Sequence, residues 1–133
     1  MTDNGLVTIQ SNHSAAETIN RLVEGVTARG MHIFARIDHA AGAAAVGLPL
    51  RPTELLIFGH PKVGTSLMQD HQTTGLDLPT KALAWEDADG KVWLTCNDTS
   101  WLARRHNLGE TSAEAVKAIA AATAAATRHA AGG

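Results

Sequence analysis

The sequence predicts an α+β fold. Segments with strand periodicity alternate with segments of helical periodicity, two of the strand segments flank an Asp89-Gly90 pair as an antiparallel hairpin would, and 133 residues suffice for one core but not two. The expected order is β-α-β-(short α)-β-(α)-β-β-α-α, in one domain over residues 1–133.

Leu6, Val7 and Ile9 mark a first strand. Ser14 and Glu17 then form a capping box, because a hydroxyl at N-cap and a carboxylate three residues on can satisfy two orphan amides. Ile19, Leu22, Val23 and Val26 follow on one helical face, and Gly30 stops the helix. MHIFARIDH alternates, with Met31, Ile33, Ala35, Ile37 and His39 on one face and His32, Phe34, Arg36 and Asp38 on the other. AGAAAVG is a short helix with a glycine stop. TELLIFGH is a buried strand, with Leu55 and Ile57 placed in the core. Pro61 suits the first turn of the next helix, although Gly64 is a poor helix former.

TKALAWE and KVWLTCN are the hairpin strands, with Leu83, Val92 and Leu94 inward. Asp98 or Thr99 begins a helical turn that Gly109 ends. Ser112 caps an Ala-rich helix with a narrow face of Val116, Ile119, Ala120 and Thr123, and the HAAGG tail beyond about Arg128 should fray.

Composition removes several functions. A net charge of -2 offers no basic footprint for nucleic acid. Cys96 is the lone cysteine, so neither an internal disulfide nor a thiolate cluster can form, which fits a reducing cytoplasm. The start MTDNGLVTIQ has no secretory pattern, and no apolar run reaches the roughly 18 residues of a spanning helix. The expectation is a cytoplasmic protein with no membrane and no nucleic-acid partner.

The blocks FARIDHAAGAAAVGL, RPTELLIFGHPKVGTSLM, LDLPTKALAWED and DGKVWL together resemble the domain-of-unknown-function 302 family, over about residues 6–108. The Ala-rich helix at about 112–129 lies outside that resemblance. The resemblance implies a TATA-binding-protein-like β-α-β4-α domain, its mainly antiparallel sheet carrying helices on one face. It does not imply DNA binding, which in that fold needs two repeats, intercalating aromatics and a basic concave surface. His60 stands where many members carry Asn.

Two clusters of residues could carry chemistry. His60, Lys62, Thr65 and Ser66 sit where a buried strand hands over to a helix, and free amides, an ammonium and hydroxyls there suit an anionic ligand; the alternative is a turn capped by its own side chains. The spacing is not that of a P-loop. His39 ends a strand and is a candidate acid/base, with Asp77 or Lys81 as helper. If the two strands ran parallel, His39 and His60 would share an edge; if antiparallel, they would lie at opposite ends. The seven histidines show neither i, i+3 or i+4 pairs nor HExxH, so no metal is expected unless His39, His60, His71 and Asp77 are assembled in space, and no cofactor is expected. Cys96 is read as a small core residue. Trp85 and Trp93 are either a cross-strand pair or an exposed interface. The leading expectation is a homodimer that binds a small, anionic molecule, with an enzyme and a protein interaction module as alternatives.

Overall fold

A computed structural model describes residues 4–132. Five strands, β1 (Leu6–Ser11), β2 (His32–Asp38), β3 (Thr53–Gly59), β4 (Thr80–Glu86) and β5 (Val92–Asn97), form one antiparallel sheet in the order β1-β5-β4-β3-β2. The helices are α1 (Ala15–Ala28), α2 (His39–Ala45), α3 (Pro61–Asp70), α4 (Thr99–Arg105) and α5 (Ala113–Ala131), with a short 3₁₀ segment at Gln72–Leu76 between α3 and β4. The fold is therefore α+β, in the β-α-β4-α arrangement.

Local chemistry sets many of the element ends. Ser14 Oγ accepts from the Glu17 amide at 3.1 Å, but the Glu17 carboxylate accepts from Asn20 rather than closing the box. Gly30, at φ +74°, ends α1 while the Met31 amide donates to the Val26 carbonyl. In the hairpin the Asp87 carboxylate accepts from the Asp89 and Lys91 amides, and Gly90 takes φ +80°.

The core lies between the sheet and the pair α1/α5. Ile19, Leu22 and Val26 of α1 meet Leu56, Phe58, Ala82, Ala84 and Leu94 of the sheet and Ala126 and Ala130 of α5. This corrects two faces. On β3 it is Leu56 and Phe58 that are buried, whereas Leu55 and Ile57 are half-buried on the other face beside Leu83. The segment is apolar on both faces, so its periodicity had no phase to read. On β2 the register shifts between Ile33 and Ala35. Ile33 thus faces Phe58 on the core side, while Ala35 and Ile37 pair with Ile57 and Leu55 on the opposite face, and Ile37 is exposed.

Three helix ends also differ from expectation. α2 begins at His39 itself, because the Asp38 carboxylate accepts from the Ala41 amide. α4 stops at Arg105, where Asn107 at φ 55° turns the chain before Gly109 is reached. Ser112 makes no cap bond; its hydroxyl donates to Asp70 Oδ2 at 2.8 Å. The carboxyl end does not fray either. Ala130 and Ala131 are buried, the Asn12 amide donates to the Ala131 carbonyl, and Arg21 donates to the carbonyls of His129 and Ala130. α5 packs closely on α1 at Gly25, where a Cβ would lie 3.2 Å from His129 Cδ2, tight enough that the imidazole would have to give, and at ordinary contact distance from Ala126.

Candidate functional site

At the end of β3 the chain turns into α3 and opens a pocket of about 260 Å³. Phe34 reaches it from the bulge of β2, Met31 from the strand entry, Val63 and Met68 from α3, Leu78 from the approach to β4, and Ile119 from α5. The bulge matters here, because an extra residue re-aims the neighbouring side chain. Gly64 and Ala118 also line the space, and their small side chains keep it open.

His60 and Thr65 line this pocket, whereas Lys62 and Ser66 do not. His60 is the residue before α3, exposed, with no side-chain cap bond. The hydroxyls turn back onto their own helix, Thr65 donating to the Pro61 carbonyl at 2.7 Å and Ser66 to the Lys62 carbonyl at 3.4 Å. Lys62 is exposed to solvent.

β2 and β3 pair antiparallel, with Asp38 opposite Glu54 and His32 opposite Gly59. His39, exposed at the start of α2, and His60 therefore sit at opposite ends of the sheet. Asp77 and Lys81 lie at the His60 end, since Thr80 pairs with Phe58 and Lys81 with Ile57. The two do line one small cavity, but it holds only about 10 Å³, at the threshold for a single water. Lys81 Nζ donates to the Pro79 carbonyl.

The partner of Asp77 is His106, a residue that the sequence spacing did not nominate. His106 Nε2 lies 2.5 Å from Asp77 Oδ2, and because a carboxylate only accepts, that nitrogen donates. His106 Nδ1 meets Thr73 Oγ1 at 3.1 Å, and Arg105 donates to both Asp77 oxygens at 3.1 and 3.2 Å. The His106 ring is buried. This cluster ties the 3₁₀ segment to the end of α4, and the cavity beside Asp77 leaves no room there for a substrate. Asp70 does similar work, accepting from the Gly109 amide and the Ser112 hydroxyl, which hold its carboxyl below the usual carboxylate range.

Burial, with Asp98 nearby, pushes the Cys96 thiol up and leaves it little thiolate. Trp85 and Trp93 form a cross-strand pair with ring centroids 6.3 Å apart, their indole N–H groups donating to Thr95 and Asp87. Among the described residues no three His, Cys, Asp or Glu side chains are grouped to hold a metal ion.

The chain is 58% identical over 98% of its length to the fluoride-specific ion channel FluC 1 of Brucella suis, and equally to FluC 1 of Brucella abortus and FluC 2 of Brucella melitensis. It spans about half the length of these relatives, 51% of the first and 48% of the other two. An ion channel works across a membrane, so these relatives overturn the expectation of a cytoplasmic anion-binding protein with no membrane association. The physical reason for the error is plain. Among the described residues no helix is long and apolar enough to cross a membrane, so nothing in this sequence pointed to one.

The crystal structure of the uncharacterized conserved protein DUF302 from Bacillus stearothermophilus superposes with a TM-score of 0.82, covering 95% of this chain and 98% of that one at 19% identity, which establishes the fold. Residues 7–126 match the family model described as "Domain of unknown function DUF302", taking in β1 through most of α5, and the chain belongs to that family.

Proposed function

We propose that this domain is an accessory module of a membrane fluoride channel, working beside the conducting part rather than conducting itself. The observation that carries this reading is the coverage: nearly the whole chain aligns at 58% identity with only about half of proteins named fluoride-specific ion channels. Conduction needs spanning helices or a closed barrel, because backbone polar groups must be satisfied inside the bilayer. The described residues instead form an open five-stranded sheet and helices too short or too polar to span. The remaining half of the relatives' length is then where the conducting segments belong.

The test is a chimera. The matching half of the Brucella suis relative is replaced by this chain, and fluoride efflux is measured from liposomes containing the chimera, the unaltered relative, or this chain alone. The chimera should retain efflux, and the chain alone should pass no fluoride. Efflux by the chain alone would show it to be conducting. A chimera that assembles in the bilayer but loses efflux would show that this chain cannot fill the role of the relative's matching half, and would overturn the proposal.

A further inference from the structure

We propose that the pocket between β2, α3 and α5 binds one unbranched, uncharged hydrocarbon chain. This inference stands on the pocket alone and does not depend on the channel reading.

Three observations define the ligand. The first is volume. The pocket is open at one side, and at about 30 Å³ per water-sized group its volume of about 260 Å³ accommodates roughly eight carbons in a row. Water there would face mainly carbon, since Met31, Phe34, Val63, Met68, Leu78 and Ile119 supply the walls. An apolar ligand that displaces poorly bonded water gains affinity.

The second observation is the charge pattern. Among the described residues no Asp, Glu, Lys or Arg lines the pocket, Lys62 lies outside it, and the Thr65 hydroxyl is already donated to the Pro61 carbonyl. A carboxylate or phosphate drawn inside would lose its hydration with no charged partner to replace it. The polar end of the ligand therefore stays at the mouth, where exposed His60 sits, and only the chain enters.

The third observation is the chemistry of the walls. Two of the three methionines in the sequence, Met31 and Met68, face this one space. Their unbranched thioethers adapt to irregular apolar shapes, which suits a flexible chain better than a rigid ring system. Ala118 is exposed on α5 and forms part of the wall, so the width of the entrance is set by small residues.

The experiment follows the methionine methyl NMR signals while the protein is titrated with straight-chain primary alcohols: hexanol, octanol, decanol and dodecanol. The Met31 and Met68 methyls should shift, and affinity should rise about fourfold per added methylene until the pocket is full, near octanol to decanol. Ala118→Leu, at an exposed helical position that tolerates leucine, should weaken octanol at least about tenfold and move the plateau to a shorter chain. Lys62→Ala should leave octanol binding unchanged. Monomeric dioctanoyl phosphatidylcholine separates the two sources of such a chain. Methyl shifts with it assign the site to a lipid, and shifts with the alcohols alone assign it to a free molecule. The proposal is overturned by any of three results: no methyl shift with octanol, affinity that climbs through dodecanol without a plateau, or octanoate binding more than about tenfold tighter than octanol, which would mark an anion site.

Discussion

Replacing Phe58 by alanine tests most directly which face of β3 carries the core. Phe58 is 0% exposed and packs in the cluster that holds Leu22, Val26 and Leu94. A buried phenylalanine removes about 150–250 Å² from water, which at about 25 cal/mol per Å² sets an upper bound of about 4–6 kcal/mol. The unfolded chain already hides part of that area, and alanine keeps the Cβ, so the expected loss is about 3–5 kcal/mol. Ile57, one residue away and half-buried on the opposite face, should cost about 1–2 kcal/mol as Ile57→Ala, roughly half of a full core truncation. Urea unfolding followed by tryptophan fluorescence measures both, with the denaturant slope as a check that the unfolded states match. An Ile57→Ala loss equal to or larger than that of Phe58→Ala would sink the face assignment.

Asp77→Asn should destabilise by about 1.5–3 kcal/mol, because buried His106 and the Arg105 guanidinium lose a charged acceptor; a urea-derived loss below about 0.5 kcal/mol would mean the cluster is not a tie. Asp87 is held below its ordinary value chiefly by the Trp93 indole N–H, with the Lys91 and Asp89 amides adding to it and burial opposing. A depressed carboxyl stabilises fully above its unfolded value and loses that contribution as pH falls through the lowered one, so the Trp93 indole proton signal should move only below the usual aspartate value of about 3.9; a transition centred there would refute it. Gly5→Ala should cost well over the about 1–2 kcal/mol expected at Gly90→Ala. Both glycines have positive φ, but a Cβ on Gly5 would sit 2.4 Å from Trp101 Cδ2, whereas Gly90 faces open space. Equal melting temperatures for the two variants would contradict this.

What could be read in advance was whatever short-range chemistry dictates. Ser14 at a helix start, Gly30 at a helix end and Asp89-Gly90 in the hairpin turn each solve a problem within a few residues of themselves, so spacing alone reveals them, whereas the Asp87 carboxylate that fixes the length of that turn was not marked. Long-range solutions were invisible. Asp77 and His106 are 29 residues apart, and their pairing follows only once α4 folds back over the 3₁₀ segment. The run Leu55, Leu56, Ile57, Phe58 carries no polar residue to mark a face. The site was obscured for a different reason. Polar residues at the β3–α3 turn drew attention to His60, Lys62, Thr65 and Ser66, yet the space beside them is walled by carbon because a bulge in β2 turns Phe34 toward it, and a bulge has no sequence signature in FARID.

The pairing of β1 with β5 bears on how the molecule is made. Thr8 and Thr95 join hydroxyls across this ladder from positions 87 residues apart, while β2 to β5 form a run of neighbours that can zip up locally. At about 5–20 residues per second, β1 leaves the ribosome on the order of 4–17 s before its partner exists. During that interval Leu6, Val7 and Ile9 have no strand to lie against, and the outer edge of the nascent β5 stays open until they arrive. Of the five strands of this sheet β1 therefore waits longest for its partner, and the long loop that their pairing closes raises the entropic cost and the contact order of completing the sheet.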